Sequence, residues 1–550
     1  MAKSKIPPLS FKFSDLFTAD YRLITALLIV LPLLVYAQVY DFSFVWDDGL
    51  ASIGGHMNHP FIVNPSWVSF GQLFSEPYFG MYIPITYLFW GGLKEFADLL
   101  SLPSNSVLHL SNMVVHIING LLVFIILRQF VINKWAVLVG TLFFLLHPIQ
   151  VESVAFISEF RGLLAFTFSL SALYIYLKNQ ENFSYLSLFL FVLALLSKPS
   201  ATVLVLFVFV INYFHYGFKL KNNILKILPF ALVAFLFVLN AYFVQFQHDT
   251  NSSNYAIAIW QRPFVWLDSV VFYLSQLIYP YYLSASYTLS AKFITQQWWF
   301  YPLAFLPLGL SYWLWLKRKT YPMSIFAVLL FVAGFFTTSG LITFAFQNFS
   351  LVADRYLYFA MVGVALLVAT IFSIDKKITR AVIIVILLVF TSLSAFRQIP
   401  VWHDPLKLWL HAHTYELTQK YAHSNLVVAL YRKGKVLQKA QKKKQALVYF
   451  NKAIEHSSES TKKNTALVFG RRGMIFFQQQ KYQKALADFT KAVESNPSGY
   501  SENVNKIHTL IVLKKCKQAH LATSVARKNK VKLEATTLIH LQQNCPDGSK

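Results

Sequence analysis

Charge is what this sequence has least of. Only 13% of its 550 residues are Asp, Glu, Lys or Arg, about half the share found in an ordinary soluble protein, which argues against one. Cysteine is scarcer still at two residues, so a disulfide scaffold is excluded. With 20 glycines and 20 prolines the chain is neither collagen-like nor composed for disorder. What fills it is apolar: 56% hydrophobic and 17% aromatic residues, with a mean hydropathy of +0.48. The few charges are unevenly placed. Residues 398–550 hold 26 Lys/Arg against 9 Asp/Glu, or +17, which leaves +8 of the total +25 for the first 397 residues. A long apolar part is followed by a compact basic one, and no nucleic-acid partner is expected.

The first apolar run, 23–40, follows Lys3, Lys5, Lys12 and Arg22. It lacks a small-residue cleavage site and many similar runs follow, so it reads as a membrane span and not as a signal peptide. Loop Lys/Arg marks the cytoplasmic side, which puts the basic N-terminus there. No Lys or Arg occurs from 23 through 93, so 41–81 is expected on the outer, periplasmic or lumenal face. Apolar runs near span length recur at 106–127, 135–150, 154–177, 184–197, 199–216, 225–244, 299–316, 323–344, 352–373 and 379–397. Two further stretches, 82–100 and 263–283, compete with them. The basic loops 128–134, 219–226, 317–319 and 376–380 all fall on the cytoplasmic side only if those two are re-entrant or interfacial. The expected fold class is all-α. A polytopic membrane domain of about 11 spans covers 1–397, N-terminus in and C-terminus out, with interfacial helices in a first outer loop at 41–105. A linker helix at 398–419 leads to a helical-repeat α-solenoid at 420–550.

The repeats are visible directly. Ala446-Leu447-x-Tyr449-Phe450-x-Lys452-Ala453 returns as Ala485-Leu486-x-Asp488-Phe489-x-Lys491-Ala492, an offset of 39 residues, against about 34 for a tetratricopeptide repeat. A longer turn at 456–464 accounts for the excess. Small and aromatic residues four apart share a helix face and let paired helices pack closely. Preceding helices are expected at 425–438 and 466–479, and a weaker pair at 503–520 and 531–543. Such arrays bind peptides or proteins in a groove, so a protein or peptide partner is expected. Lys442-Lys443-Lys444, Arg471-Arg472 and Lys514-Lys515-Cys516-Lys517 read as solvated faces, drawn to anionic lipid headgroups wherever they approach a bilayer. A folded domain of this length translocates largely regardless of charge. On the outer side, Cys516 and Cys545 are either paired or two free thiols.

Four polar stretches share the outer ends of spans in this topology: Asp47-Asp48, 147–161, Ser197-Lys198-Pro199 and Asp354-Arg355-Tyr356. Ionisable groups near lipid are costly, so their common placement argues for one polar site. Neighbouring carboxylates at an apolar boundary resist joint ionisation. Asp47 or Asp48 therefore reads as a general base toward a hydroxyl or as a metal ligand. His147 and Glu152 flank a proline break and bind a polar ligand or each other. Arg161, deeper in the next span, wants a phosphate or a carboxylate, which Glu152 or Glu159 can supply. Lys198 is a snorkelling lysine or a phosphate contact, and Asp354 can neutralise Arg355. Tyr82, with Tyr78 and Pro84, offers an apolar wall in the outer loop. His56 and His59, without a third ligand, are a weak metal signal.

These landmarks occur in a telling order: Phe44-Val45-Trp46-Asp47-Asp48; Tyr82-x-Pro84-Ile85-Thr86; His109-x-x-Asn112-x-x-x-His116-x-x-Asn119; His147-Pro148-x-Gln150-Val151-Glu152-Ser153-Val154; Leu195-Leu196-Ser197-Lys198-Pro199; Asp354-Arg355-Tyr356-Leu357-Tyr358; Trp402-His403-Asp404 with Leu408-Trp409; then the repeats. Over nearly its whole length the chain resembles the TMTC family (transmembrane and tetratricopeptide-repeat proteins) and its bacterial relatives, within the GT-C glycosyltransferases that include protein O-mannosyltransferases. The resemblance implies a GT-C fold around an outer cavity. It also implies a polyprenyl-phosphate-linked sugar donor, a protein hydroxyl acceptor and a bacterial inner membrane (or an endoplasmic-reticulum membrane) with repeats in the periplasm or lumen. The catalytic base falls on Asp47 or Asp48, and Tyr82, His147, Glu152, Arg161, Lys198, Asp354, Arg355 and Tyr356 fall in the substrate site. A divalent cation, Mg or Mn, at the Asp pair is the alternative found elsewhere in the superfamily. One departure stands out: Phe160 occupies the place where the family pattern has arginine, and Arg161 is rotated from it by about 100°. The repeat array is also short for the family. Transfer to a lipid or glycan, and a non-catalytic scaffold assembling partners on its repeats, stay open as other readings.

Overall fold

Most of the long apolar runs of this chain form helix among the described residues. The computed structural model describes residues 11–49, 54–179, 183–216, 220–248, 257–287, 289–341, 345–373, 377–415, 421–458 and 461–546. Lys3, Lys5, Lys219 and Lys376, which the charge pattern assigns to the cytoplasmic side, lie outside them, as does the end of the expected linker at 416–419. Among the described residues there is no strand, only an isolated bridge between Tyr78 and Met81. The chain divides into two units, Met1–Leu408 and Trp409–Lys550.

Among the described residues of the first unit, five helices are long and apolar enough to cross a bilayer: Arg22–Asp41, Ser104–Leu127, Ile157–Lys178, Ile224–Gln245 and Arg380–Trp402. A sixth candidate, Lys134–Leu146 continued by Pro148–Ala155, bends by 48° at the break, where Pro148 cannot extend the ladder. Tyr185–Ser197, Pro199–Phe214, Phe300–Leu316, Pro322–Thr338 and Met361–Ser373 are apolar but shorter. Pro84–Leu99 and Arg262–Ile278, the two competing stretches, do not reach span length. The run expected at 352–373 is helical as a span only from Met361, because Asp354–Leu357 forms a 3₁₀ turn. Leu228, Leu232 and Leu236 on one long helix, and Val385, Ile386 and Val389 on another, are exposed, as lipid-facing residues are and water-facing ones seldom are. Several apolar helices could thus span a membrane, as those of a membrane protein do.

Helix Ser104–Leu127 explains how broken helices are tolerated nearby. His109, Asn112, His116 and Asn119 lie along one of its faces, all fully buried. Asn112 donates to the Phe156 carbonyl at 2.8 Å and Asn119 to that of Leu163 at 3.1 Å. His116 bridges the Leu145 carbonyl at 3.0 Å and the Tyr358 hydroxyl at 2.7 Å. Asn112, His116 and Asn119 thus bond carbonyls beside the breaks around 147–159 and in the first turn of the helix that follows, as buried polar groups require. Asn112→Ala is expected to lower stability by about 1–3 kcal/mol, read as a drop in the melting temperature of the detergent-solubilised protein. A melting temperature within experimental scatter of wild type contradicts this role.

The second unit is a row of helix pairs. Tyr421–Lys439 pairs with Lys443–Glu455, and Lys462–Gln478 with Tyr482–Ser495, across faces carrying the buried Ala446, Phe450 and Ala453 and their counterparts Ala485, Phe489 and Ala492. The weaker pair at 503–520 and 531–543 is corrected. The chain turns at Lys514, giving helices Tyr500–Val512 and Cys516–Lys528 and then a closing helix, Ala535–Asn544. Gln441, Gln480 and Lys514 each take a positive φ, 60°, 60° and 54°, at the turn inside a pair. Arg472 is not a solvated base: it grips Asp488 through Nε and Nη2 at 2.8 and 2.7 Å. Cys516 and Cys545 are disulfide-bonded, with Cα atoms 5.2 Å apart, and close 29 residues of sequence separation. Such a loop supplies roughly 3–4 kcal/mol by the chain-entropy relation. Cys545→Ser is expected to speed amide exchange selectively in 500–545. Unchanged exchange there contradicts a stabilising bond.

Candidate active site

The chain leaves the helix Arg22–Tyr36 through a 3₁₀ turn and runs extended to Val45. Phe42 and Ser43 are fixed on the way: Asn105 donates to the Phe42 carbonyl at 2.7 Å, and the Ser43 N–H donates to that of His403 at 2.9 Å. Trp46 then adopts a left-handed φ of 48°, costly for a bulky residue and held by stacking on Phe156 at 5.4 Å. This conformation starts the 3₁₀ turn Trp46–Asp48. Just past it, Gly49 and Gly55 cross so closely that a Cβ on Gly55 would lie 2.3 Å from the Gly49 Cα. Both have positive φ, and glycine is the residue that permits both conditions.

The two aspartates meet different surroundings. Asp48 is fully buried and committed: one oxygen accepts from the Val45 N–H at 2.9 Å, the other from the Ser158 N–H at 2.9 Å and hydroxyl at 2.6 Å. Burial pushes its pKa up to about 7 despite those hydrogen bonds, and the neighbouring Asp47 adds to the rise. Asp47 is half-buried and accepts no hydrogen bond from a described residue. Burial raises its pKa as well, opposed by the attraction of Arg161 and Arg355, so it is a carboxylate made more basic. The folded Asp48 value lies above the ordinary 3.8, so the folded chain holds this proton longer than the unfolded one. Its contribution to stability therefore declines as pH rises from about 4 to about 7. Infrared difference spectra are expected to show a protonated carboxyl band lost near pH 7 and missing in Asp48→Asn. A band lost near pH 4 refutes the shift.

Opposite the aspartates lies a buried ion network built at breaks in three segments. Glu159, at the end of a 3₁₀ turn entering helix Phe160–Lys178, is its hub. It accepts from Lys198 at 2.6 Å and Arg161 at 3.2 Å, with the Arg355 Nε at 3.7 Å. Glu152 takes the Arg355 backbone N–H at 3.0 Å and pairs with its guanidinium, which also lies over the rings of Trp46 and Phe346 at 5.1 and 4.5 Å. Lys198 projects from a junction where Pro199 follows and Thr86 donates to the Ser197 carbonyl at 2.9 Å. Gly162 makes room for it, since a Cβ there would sit 2.8 Å from a Glu159 oxygen and 3.2 Å from the Lys198 Nζ. Arg161 donates to His56 Nε2 at 2.6 Å. That nitrogen must be unprotonated, so Nδ1 carries the hydrogen and donates to the Tyr87 hydroxyl at 2.8 Å. Burial and the adjacent Arg161 hold His56 well below its ordinary pKa.

A small cavity, about 20 Å³ open to the centre of a water molecule, is lined by Ser153, Glu159, Lys198, Ser200, Thr337 and Arg355, among others. The buried hydroxyls of Ser153 and Thr337 have no hydrogen-bond partner among the described residues. Two cations and unsatisfied hydroxyls around one space suit an anionic oxygen ligand. The Asp pair suits a divalent metal ion poorly. Both Asp48 oxygens already accept N–H and O–H groups, and Asp47 lies in the field of two guanidiniums.

Of the residues expected here from sequence, Glu152, Arg161, Lys198 and Arg355 meet through the ion network, Asp47 lies in the field of Arg161 and Arg355 with Asp48 beside it, and Tyr356 lines the cavity with Lys198 and Arg355. Others do not. Tyr82 donates to the Phe74 carbonyl at 2.9 Å within the outer loop. His147 does not bind Glu152: its Nδ1 accepts from the Ile149 N–H at 3.2 Å and its Nε2 lies 3.3 Å from the Leu277 carbonyl, the work of a helix cap. Asp354 does not neutralise Arg355 but accepts from the Tyr287 hydroxyl at 2.6 Å. Ser158, Glu159 and His56 join the site although none was expected among its substrate-binding residues. Glu159 had a signal as a carboxylate for Arg161, and His56 only as a weak metal ligand. Phe160 packs at a tilt against the Trp90 and Phe89 rings, at 6.3 Å from each.

Compared with known families, residues 427–458 and 466–498 each match a tetratricopeptide repeat model. No curated protein matches the chain. The C-terminal unit therefore contains tetratricopeptide repeats, a type of array that generally mediates protein–protein contacts.

Proposed function

We propose that this chain is a GT-C-type membrane glycosyltransferase that moves a sugar from a polyprenyl phosphate to a serine or threonine hydroxyl of a protein. The observation that carries the reading is the Asp47 carboxylate, raised in pKa within the field of Arg161 and Arg355, together with a cavity lined by Lys198 and Arg355. Asp47 takes the proton from the acceptor hydroxyl as its oxygen attacks the anomeric carbon, and the lipid phosphate leaves from the opposite face, inverting that carbon. Asp48 is a positioning residue, because its oxygens are spent on Val45 and Ser158. Lys198 and Arg355 stabilise the charge that develops on the departing phosphate. Arg161, bound to Glu159 and His56, acts through the field it lays on Asp47. The repeats hold the acceptor polypeptide.

Eleven spans, with the N-terminus in the cytoplasm, put this site and the repeats on the outer side, in the periplasm of a bacterial inner membrane. The Cys516–Cys545 bond supports that side, because such bonds persist in oxidising compartments. The test is the intact mass of an acceptor protein co-expressed with wild type or with Asp47→Asn. The expected result is a glycan mass increment with wild type alone. Increments on envelope lipids or glycans, with none on proteins, replace the acceptor with a lipid or glycan. No increment on any class refutes the proposal.

A further inference from the structure

In the second unit three histidines meet that sequence spacing gave no reason to connect. His413 lies near the end of helix Pro405–Thr414, His423 in the first turn of Tyr421–Lys439, and His456 caps the C-terminus of Lys443–Glu455. Their rings are 5.2 Å apart for His413 and His423, 5.3 Å for His413 and His456, and 6.0 Å for His423 and His456. One ring nitrogen from each can be chosen so that all lie within 4.8 Å of one another, and all three side chains are half-buried. In a tetrahedral site with bonds of about 2.0–2.1 Å, nitrogens stand about 3.3 Å apart. The trio therefore comes within about 1.5 Å of the spacing that coordination needs.

We propose that His413, His423 and His456 bind one divalent transition-metal ion of the zinc class. The donor set selects the chemistry. Three imidazole nitrogens suit zinc, copper or nickel, whereas magnesium and calcium require oxygen ligands that the trio does not supply. Three protein ligands leave a fourth position for water or an incoming side chain. Burial, then the nearby His413 and His423, lower the pKa of His456 and so favour its neutral, metal-binding form. A bound ion ties the segment carrying His413 to both helices of the first repeat. The site is independent of the glycosyltransferase reading and does not use its residues.

The test uses tag-free full-length protein in detergent, stripped with a chelator and titrated with zinc against a chromophoric indicator. One tight equivalent is expected. His413→Gln, His423→Ala and His456→Gln should each weaken it by about 100-fold or more, beyond the 10–100-fold typical of an outer-shell change. His508→Ala, at the separate His508–His540 pair, should leave it unchanged. Where His423→Ala lowers the melting temperature of the metal-free protein, His456→Gln at the helix end gives the decisive reading. Cobalt provides a second readout: an intense four-coordinate visible band in wild type, absent in His456→Gln. No tight equivalent, or one that survives the His413→Gln/His456→Gln double variant, overturns the proposal.

Discussion

Asp47→Asn is expected to lower sugar transfer by about 10²–10⁴-fold, the usual contribution of a positioned general base, with KM for the lipid-linked donor nearly unchanged. The amide keeps the shape of the carboxylate and removes its ability to take a proton. Because Asp47 accepts no hydrogen bond from a described residue, folding should not depend on its charge, and the melting temperature should stay close to that of wild type. Asp48→Asn should behave differently. One oxygen of Asp48 serves the Val45 N–H and the other serves Ser158, and an amide can supply only one acceptor. The N–H it leaves unpaired costs about 1–3 kcal/mol. A lower melting temperature is expected there, with activity recovering on cooling. Steady-state kinetics and melting curves of the two variants separate base from support. Equal losses of activity with unchanged stability in both would return the two carboxylates to a shared role.

The second large effect concerns the ion network and needs no assumption about the reaction. Glu159 faces Lys198, Arg161 and Arg355 and is 2% exposed. Glu159→Gln leaves three cations in low dielectric with Glu152 as the one remaining carboxylate among these ion-paired groups. Removing one partner of a buried ion pair destabilises by about 3–5 kcal/mol, a large share of the about 5–15 kcal/mol that holds a typical protein folded. Poor yield and early thermal aggregation are expected. The double variant Glu159→Gln/Lys198→Met, which removes a charge of each sign, should recover much of the loss. Normal yield and melting temperature for the single variant contradict the hub assignment.

How much of this was legible in sequence depends on the range of the interaction. Helix was legible everywhere, because apolar runs have few other ways to satisfy their backbone. The break after His147 was legible because Pro148 marks it. The turn at Lys514 was not: three of these repeats place glutamine or lysine in the left-handed position, where glycine or asparagine would have signalled a boundary. In the site, adjacency misled. Asp354 is bonded to Arg355 in the chain yet turns to Tyr287, while the partner of Arg355 is Glu152, 203 residues away. Ser158 as the clamp on Asp48 had no signal at all, since hydroxyls 110 residues distant leave no pattern. The grouping of Asp47, Glu152, Lys198 and Arg355 was an expectation of topology alone, drawn from charge parity.

The central claim is that a lipid-borne phosphate sits against Lys198 and Arg355 beside Asp47. Its most direct test is native mass spectrometry of the purified protein with polyprenyl phosphate at increasing concentration. One bound lipid phosphate is expected for wild type, with affinity reduced at least about tenfold in Lys198→Met, in keeping with loss of a charge-assisted contact, and unaltered in Lys317→Met. Retention that is the same in all three proteins, or absent from wild type, contradicts the account.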